Sequence, residues 1–105
     1  MKRVVSIIDC GIGNLLSIKN WLSYVGVVGE VVTEPEGVRN AETLILPGVG
    51  AFCGGMDGLK KHLLIEPIRE FIENGKPFLG ICLGMQMLME CSEEFGRCEG
   101  LGIIP

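Results

Sequence analysis

The chain has 105 residues, 48% of them apolar and 21% charged, with a formal net charge of −4. That length holds one small domain with a genuine core, and the balance excludes a disordered polymer. Basic residues never cluster beyond Lys60-Lys61 and no apolar stretch reaches membrane-spanning length, so neither nucleic acid nor a bilayer is expected as a partner.

The first residues, Met1-Lys2-Arg3 and then an apolar run, have the order of a signal peptide, but Asp9 and the glycines at 11 and 13 interrupt the run too early. Val4 to Ile8 instead reads as a first strand, β-branched and buried on both faces. A tight turn over 9–14 leads into a helix with Leu15, Ile18, Leu22 and Val25 inward and Lys19, Asn20 and Ser23 outward. The Gly11 and Gly13 pair does not complete a dinucleotide fingerprint, because Leu16 stands at the third glycine position. Val27 to Thr33 reads as a second strand, 34–37 as a turn and 38–42 as a short helical or irregular connection. Thr43 to Leu46 makes a third strand, closed by Pro47-Gly48-Val49-Gly50. That loop can turn a backbone N–H toward a ligand at little steric cost, although an ordinary loop has the same composition.

Two surface helices are expected next, over 56–64 and 66–74. The second carries Ile65, Ile68 and Ile72 inward and ends before Pro77. Phe78 to Ile81 is the fourth strand. It delivers Cys82 between Gly80 and Gly84, ahead of a methionine-rich helical run over 85–90 expected to be largely buried. A nucleophile two residues from a glycine on each side, between strand and helix, has the layout of a nucleophile elbow. The glycines relieve crowding in the sharp turn, and the N–H groups of the helix start favour a thiolate. The same spacing also suits a buried cysteine packed between two glycines. Residues 93–100 read as an acidic loop. The apolar end over 101–105 has no evident element to pack against, which suggests sequence beyond it.

Five cysteines with no C-x-x-C pair and a single distant histidine, His62, suit neither a zinc site nor a disulfide framework. A reducing cytoplasm is the expected setting. The alternation of strands and helices predicts an α/β fold: an open, mostly parallel sheet with helices on both faces. In such sheets ligands sit at the carboxyl ends of strands, where Asn14, Gly48 to Gly50 and Cys82 all fall.

Three blocks carry a resemblance: Ile8-Asp9-x-Gly11-x-Gly13-Asn14-Leu15-x-Ser17, Leu46-Pro47-Gly48-Val49-Gly50-Ala51-Phe52, and Gly75 to Gln86. Together they resemble the class I glutamine amidotransferases, whose fold is flavodoxin-like. Within that class they look like the glutaminase subunits of imidazole glycerol phosphate synthases, of histidine biosynthesis. The resemblance runs from Val4 to Pro105 and implies that residues 1–105 are the N-terminal half of a single amidotransferase domain. It implies that Cys82 is the nucleophile that attacks the glutamine side-chain amide, giving a glutamyl thioester and ammonia. Val49, Gly50 and the N–H of Leu83 match the oxyanion donors, while Gly50, Gln86 and Glu94 match residues that hold L-glutamine. The family's histidine base and its glutamate have no counterpart before residue 105, and His62 does not match them. The resemblance implies no cofactor and no metal. It implies a cyclase or synthase subunit as partner in a heterodimer, with the isolated chain inactive and prone to self-association. An amidotransferase of another pathway, such as surface polysaccharide synthesis, and a non-catalytic interaction module are the alternatives.

Overall fold

The computed structural model describes residues 3–9, 15–48, 52–93 and 97–104. Four strands, β1 (Arg3–Ile8), β2 (Val27–Val32), β3 (Leu44–Gly48) and β4 (Phe78–Cys82), form one sheet in the order β2-β1-β3-β4, with every pair parallel. The chain moves from β1 outward to β2, then crosses back to place β3 on the other side of β1. The order reverses there, and the carboxyl ends of β1 and β3 flank the crevice that such a reversal opens. This is the open parallel sheet that the alternation of elements predicts, in the flavodoxin-like order.

The helices divide between the two faces. Helix α1 (Leu15–Tyr24) covers one, where Leu22 packs with Ile7 of β1 and Ile45 of β3. On the other face Ile8, Leu44 and Leu46 meet the helices α2 (Pro35–Asn40), α3 (Phe52–Lys61) and α4 (Ile65–Glu73). Leu59, Leu64, Ile68 and Val38 are fully buried there. Alternation along each strand explains the division: Leu44 and Leu46 share one face of β3 and Ile45 takes the other. Among the described residues, no helix is long and apolar enough to cross a membrane.

Val4, expected buried in β1, is half exposed, and α2 begins at Pro35 within the stretch expected to be a turn. Four further departures from the expected elements follow. Val25 lies beyond the end of α1 and is half exposed rather than turned inward. The helix expected over 56–64 begins earlier, at Phe52, and stops at Lys61, where Leu63 turns into the left-handed region with φ 59°. The methionine-rich helix after Cys82 shrinks to a single turn, α5 (Leu83–Gln86), with Met85 half exposed and only Met87 fully buried. The carbonyls that a helix reaching past residue 90 would use accept instead from the C-terminal segment. Leu101 N–H donates to the carbonyl of Met87 (2.8 Å), Ile103 N–H to that of Leu88 (2.9 Å) and Gly100 N–H to that of Glu90 (2.8 Å). The apolar end is therefore packed: Leu101 is buried, and its carbonyl accepts from Arg69 Nε at 2.9 Å.

The fourth departure concerns the cysteines. Cys53 in the first turn of α3 and Cys98 on the short strand β6 (Cys98–Glu99) form a disulfide, with their Cα atoms 5.7 Å apart. Strand β6 pairs antiparallel with β5 (Cys91–Ser92). The two sulfurs are 45 residues apart in sequence, and short-range cysteine spacing carries no signal of such a pairing.

Candidate functional site

The site is built on the register of the two strands at one edge of the sheet. β3 and β4 pair along their whole length, from Leu44 with Phe78 to Gly48 with Cys82, so both strands end at the same level. Neighbouring parallel strands run about 4.8 Å apart. Cys82 therefore emerges beside the point at which the chain leaves Gly48 for Val49 and Gly50. Those two residues lie outside the described residues, as does Glu94.

At Cys82 the backbone leaves the strand abruptly. Its φ is 54° and its ψ −117°, a combination that a residue with a Cβ rarely adopts. Conformations of this kind cost about 1–3 kcal/mol and persist only where the surroundings enforce them. Here the enforcement is visible on both sides. A Cβ at Gly80 would lie 2.8 Å from both the N and the Cα of Met85, so strand and helix could not fold back on one another. A Cβ at Gly84 would lie 2.7 Å from the carbonyl carbon of Leu46 and overlap its oxygen. The helix start thus rests directly on the backbone of β3. Both glycines are demanded by close approach, and the sequence pattern Gly-x-Cys-x-Gly is explained by it.

The outcome is a thiol on display. Cys82 is exposed, whereas Leu83, the next residue, is buried and anchors the turn from below. Gln86, one helical turn further on, is also exposed. With only four residues in α5, the long helix expected behind Cys82 is absent, and what remains close to the thiol is the first turn with its unbonded N–H groups. The reading of Cys82 as a buried cysteine packed between glycines is overturned by its exposure.

His62 stands elsewhere. Helix α3 starts after the carboxyl end of β3 and runs back along the sheet for ten residues, about 15 Å. His62 lies past its far end, with Nδ1 2.9 Å from the carbonyl oxygen of Gly58. A groove of about 330 Å³ lined by Val32, Thr33, Glu34, Glu36 and Asn40 follows β2 and shares no residue with the elbow. Two features escaped sequence reasoning. One is the backbone of Leu46 as the floor beneath Gly84, and the other is the Cys53–Cys98 link. The first needs the β3–β4 register, and the second needs α3 laid against β6.

Comparison with known proteins decides the family. The family model described as "Glutamine amidotransferase class-I" matches residues 6–97. The chain belongs to the class I glutamine amidotransferase family. A protein of Legionella pneumophila (strain Lens) called imidazole glycerol phosphate synthase subunit HisH 1 is 54% identical over 100 residues, covering 95% of this chain and 47% of its own length. A subunit HisH of Syntrophotalea carbinolica is 49% identical over 102 residues, covering 97% of this chain and 50% of its own length. The chain thus spans about half the length of these curated relatives. A solved glutamine amidotransferase superimposes with a TM-score of 0.79 at 21% identity, over 94% of this chain and 52% of that one. The putative peptidase E of Listeria monocytogenes EGD-e follows at 0.78 and 17%, over 97% and 63%. At such low identities the two structures attest the fold alone.

Proposed function

We propose that the chain is the nucleophile-bearing, N-terminal half of a glutaminase domain. It would serve a synthase of histidine biosynthesis, in keeping with the relatives called imidazole glycerol phosphate synthase subunits. The observation that carries this reading is the elbow: an exposed Cys82 forced to φ 54° between two glycines that cannot be replaced without a clash. An acyl-transfer enzyme needs a nucleophile held clear of its own backbone, with N–H donors beside it.

In this reading the Cys82 sulfur attacks the side-chain carbonyl carbon of L-glutamine. The carbonyl oxygen takes the negative charge and is met by the N–H of Leu83 and by donors from Val49 and Gly50. Collapse of the tetrahedral species expels ammonia, which leaves with an added proton, and the acyl group remains on sulfur as a thioester. Water then releases glutamate. Gln86 and Glu94, with Gly50, hold the substrate. The ammonia passes to a cyclase or synthase subunit, the partner in a heterodimer. No residue of the chain is assigned to a cofactor. The proton transfers require a base, and His62, past the far end of α3, is not assigned that role. The reading therefore requires a complementing segment for the base, and a cytoplasm that keeps Cys82 as a thiol.

The test joins the chain to the C-terminal half of the Syntrophotalea relative and adds that organism's synthase partner. Glutamate released from glutamine is measured. Activity should appear, and Cys82→Ser should reduce it by about 10³-fold or more, as removal of a nucleophile does. Activity retained by the Cys82→Ser protein would sink the proposal.

A further inference from the structure

Cys53 and Cys98 join two parts of the fold that the sequence keeps far apart, the first turn of α3 and the strand β6. Their Cα separation of 5.7 Å lies within the range that a disulfide bridges without moving the backbone. Apolar packing beside the bond favours the same approach. Phe52, beside Cys53, is buried, and it packs so close to the β6 end that a Cβ at Gly100 would come within 2.8 Å of its ring. Both cysteines are only half buried, so a small molecule can reach them.

We propose that Cys53 and Cys98 are a reversible thiol–disulfide site, a redox-controlled clamp between α3 and β6. The reversibility rests on the glutaminase reading. That reading places the chain in a compartment whose small thiols and disulfides exchange with accessible protein sulfurs, so the bond forms and breaks with the redox poise. Each sulfur lies within four residues of a position assigned to glutamine binding, Gly50 before Cys53 and Glu94 before Cys98. Closing the clamp ties those two stretches of chain to one another.

The exchange partner is a low-molecular-weight disulfide of the glutathione type. The thiolate of one cysteine attacks a sulfur of that disulfide, forming a mixed disulfide and releasing one small thiolate. The second cysteine's thiolate then attacks the protein sulfur of the mixed disulfide. The Sγ–Sγ bond forms as the second small thiolate leaves. The two protons given up by the protein thiols end on the two small thiols. Two protein sulfurs have been oxidised and one small disulfide reduced. Excess small thiol runs the same steps backward.

The test equilibrates the intact chain in glutathione buffers of graded ratio, with and without denaturant. Samples are acid-quenched and alkylated, and the peptides are mapped by mass spectrometry. Folded samples should show Cys53 linked to Cys98 in about tenfold excess over any other pairing, and excess reduced glutathione should open that link completely. In denaturant the preference should vanish. Cys53→Ser should leave Cys98 carrying a single glutathione adduct. The same pairing pattern with and without denaturant, separate adducts on Cys53 and Cys98 in the folded chain, or a link that resists excess thiol would each overturn the proposal. Loss of the glutaminase reading shows in a different place, as activity that survives Cys82→Ser.

Discussion

At the scale of single residues, the elbow is a balance between strain at Cys82 and tolerance at its neighbours. A φ of 54° on a residue with a Cβ is unfavourable, and it holds because Leu83 is buried below and Gly84 lies flat on Leu46. This predicts that even the smallest side chain is too large at Gly84. In Gly84→Ala the new methyl would overlap a backbone oxygen, which cannot rotate away as a side chain could, so strand and helix must separate. The expected cost is about 1–3 kcal/mol, measured as a shift of the urea midpoint with an unchanged slope. A variant as stable as the parent would show that α5 does not rest on β3 as described. The salt bridges matter less. Arg39–Glu70, Arg69–Glu66 and Arg97–Glu99 all involve half-exposed or exposed groups, where ion pairs contribute little. Glu99 bonds the exposed Arg97 guanidinium and, with the nearby Cys91, raises its pKa further above an already high value, so Arg97 stays charged throughout the working range.

At the scale of elements, the end of α3 has a motif usually completed by glycine. Leu64 N–H donates to the carbonyl of Leu59 at 2.9 Å and Leu63 N–H to that of Lys60 at 3.1 Å, the paired bonds of a Schellman turn. Leu59 and Leu64, which this turn brings together, are both fully buried. Leu63 occupies the left-handed position with its side chain 73% exposed, so it contributes little packing in return for its strain. Relief of the left-handed backbone should outweigh the extra freedom that glycine gives the unfolded chain. Leu63→Gly should therefore stabilise the protein by about 0.5–1 kcal/mol, read from thermal or urea unfolding. Destabilisation would mean that the exposed leucine makes contacts in solution that the fold does not show.

At the scale of the whole molecule, coverage of the sheet is unequal. Three helices and the elbow turn lie on the face of Leu44 and Leu46, while among the described residues α1 is the helix on the other, above β1 and β2. Over β4 that second face is less covered: Leu79 is 49% exposed, and among the described residues β4 is an edge strand with no partner on one side. Unpaired edges beside exposed apolar side chains invite association. The chain alone is therefore expected to self-associate and to release no ammonia from glutamine at a meaningful rate. His62 lies past the far end of α3, away from the carboxyl ends of the strands. Size-exclusion chromatography with an ammonia assay checks both expectations. Ammonia release by the purified chain, abolished in Cys82→Ser, would contradict the second of them and show that a base resides within these residues.

The strand and helix alternation, the parallel sheet and the place of Cys82 were all legible from the amino-acid order. Each rests on local patterning: β-branched runs for buried strands, three- and four-residue apolar spacing for helices, and glycines where backbones meet. The side of the sheet that carries the candidate site was legible for the same reason, since a parallel sheet sends every strand's carboxyl end to one side. Tertiary structure decided what depends on partners distant in sequence. The run after Cys82 has the composition of a buried helix, yet past Gln86 its bonds tighten, with Leu88 N–H on Met85 and Met89 N–H on Gln86, and the carbonyls of Met87, Leu88 and Glu90 accept from the segment Gly100 to Ile103. The left-handed turn at Leu63 is hidden because leucine stands where glycine would announce it. The Cys53–Cys98 pairing is hidden because 45 residues separate two sulfurs that only the packing of α3 on β6 brings together. Local propensity is written in neighbouring residues, whereas competition for a carbonyl or a sulfur is settled by whichever distant segment the fold places there.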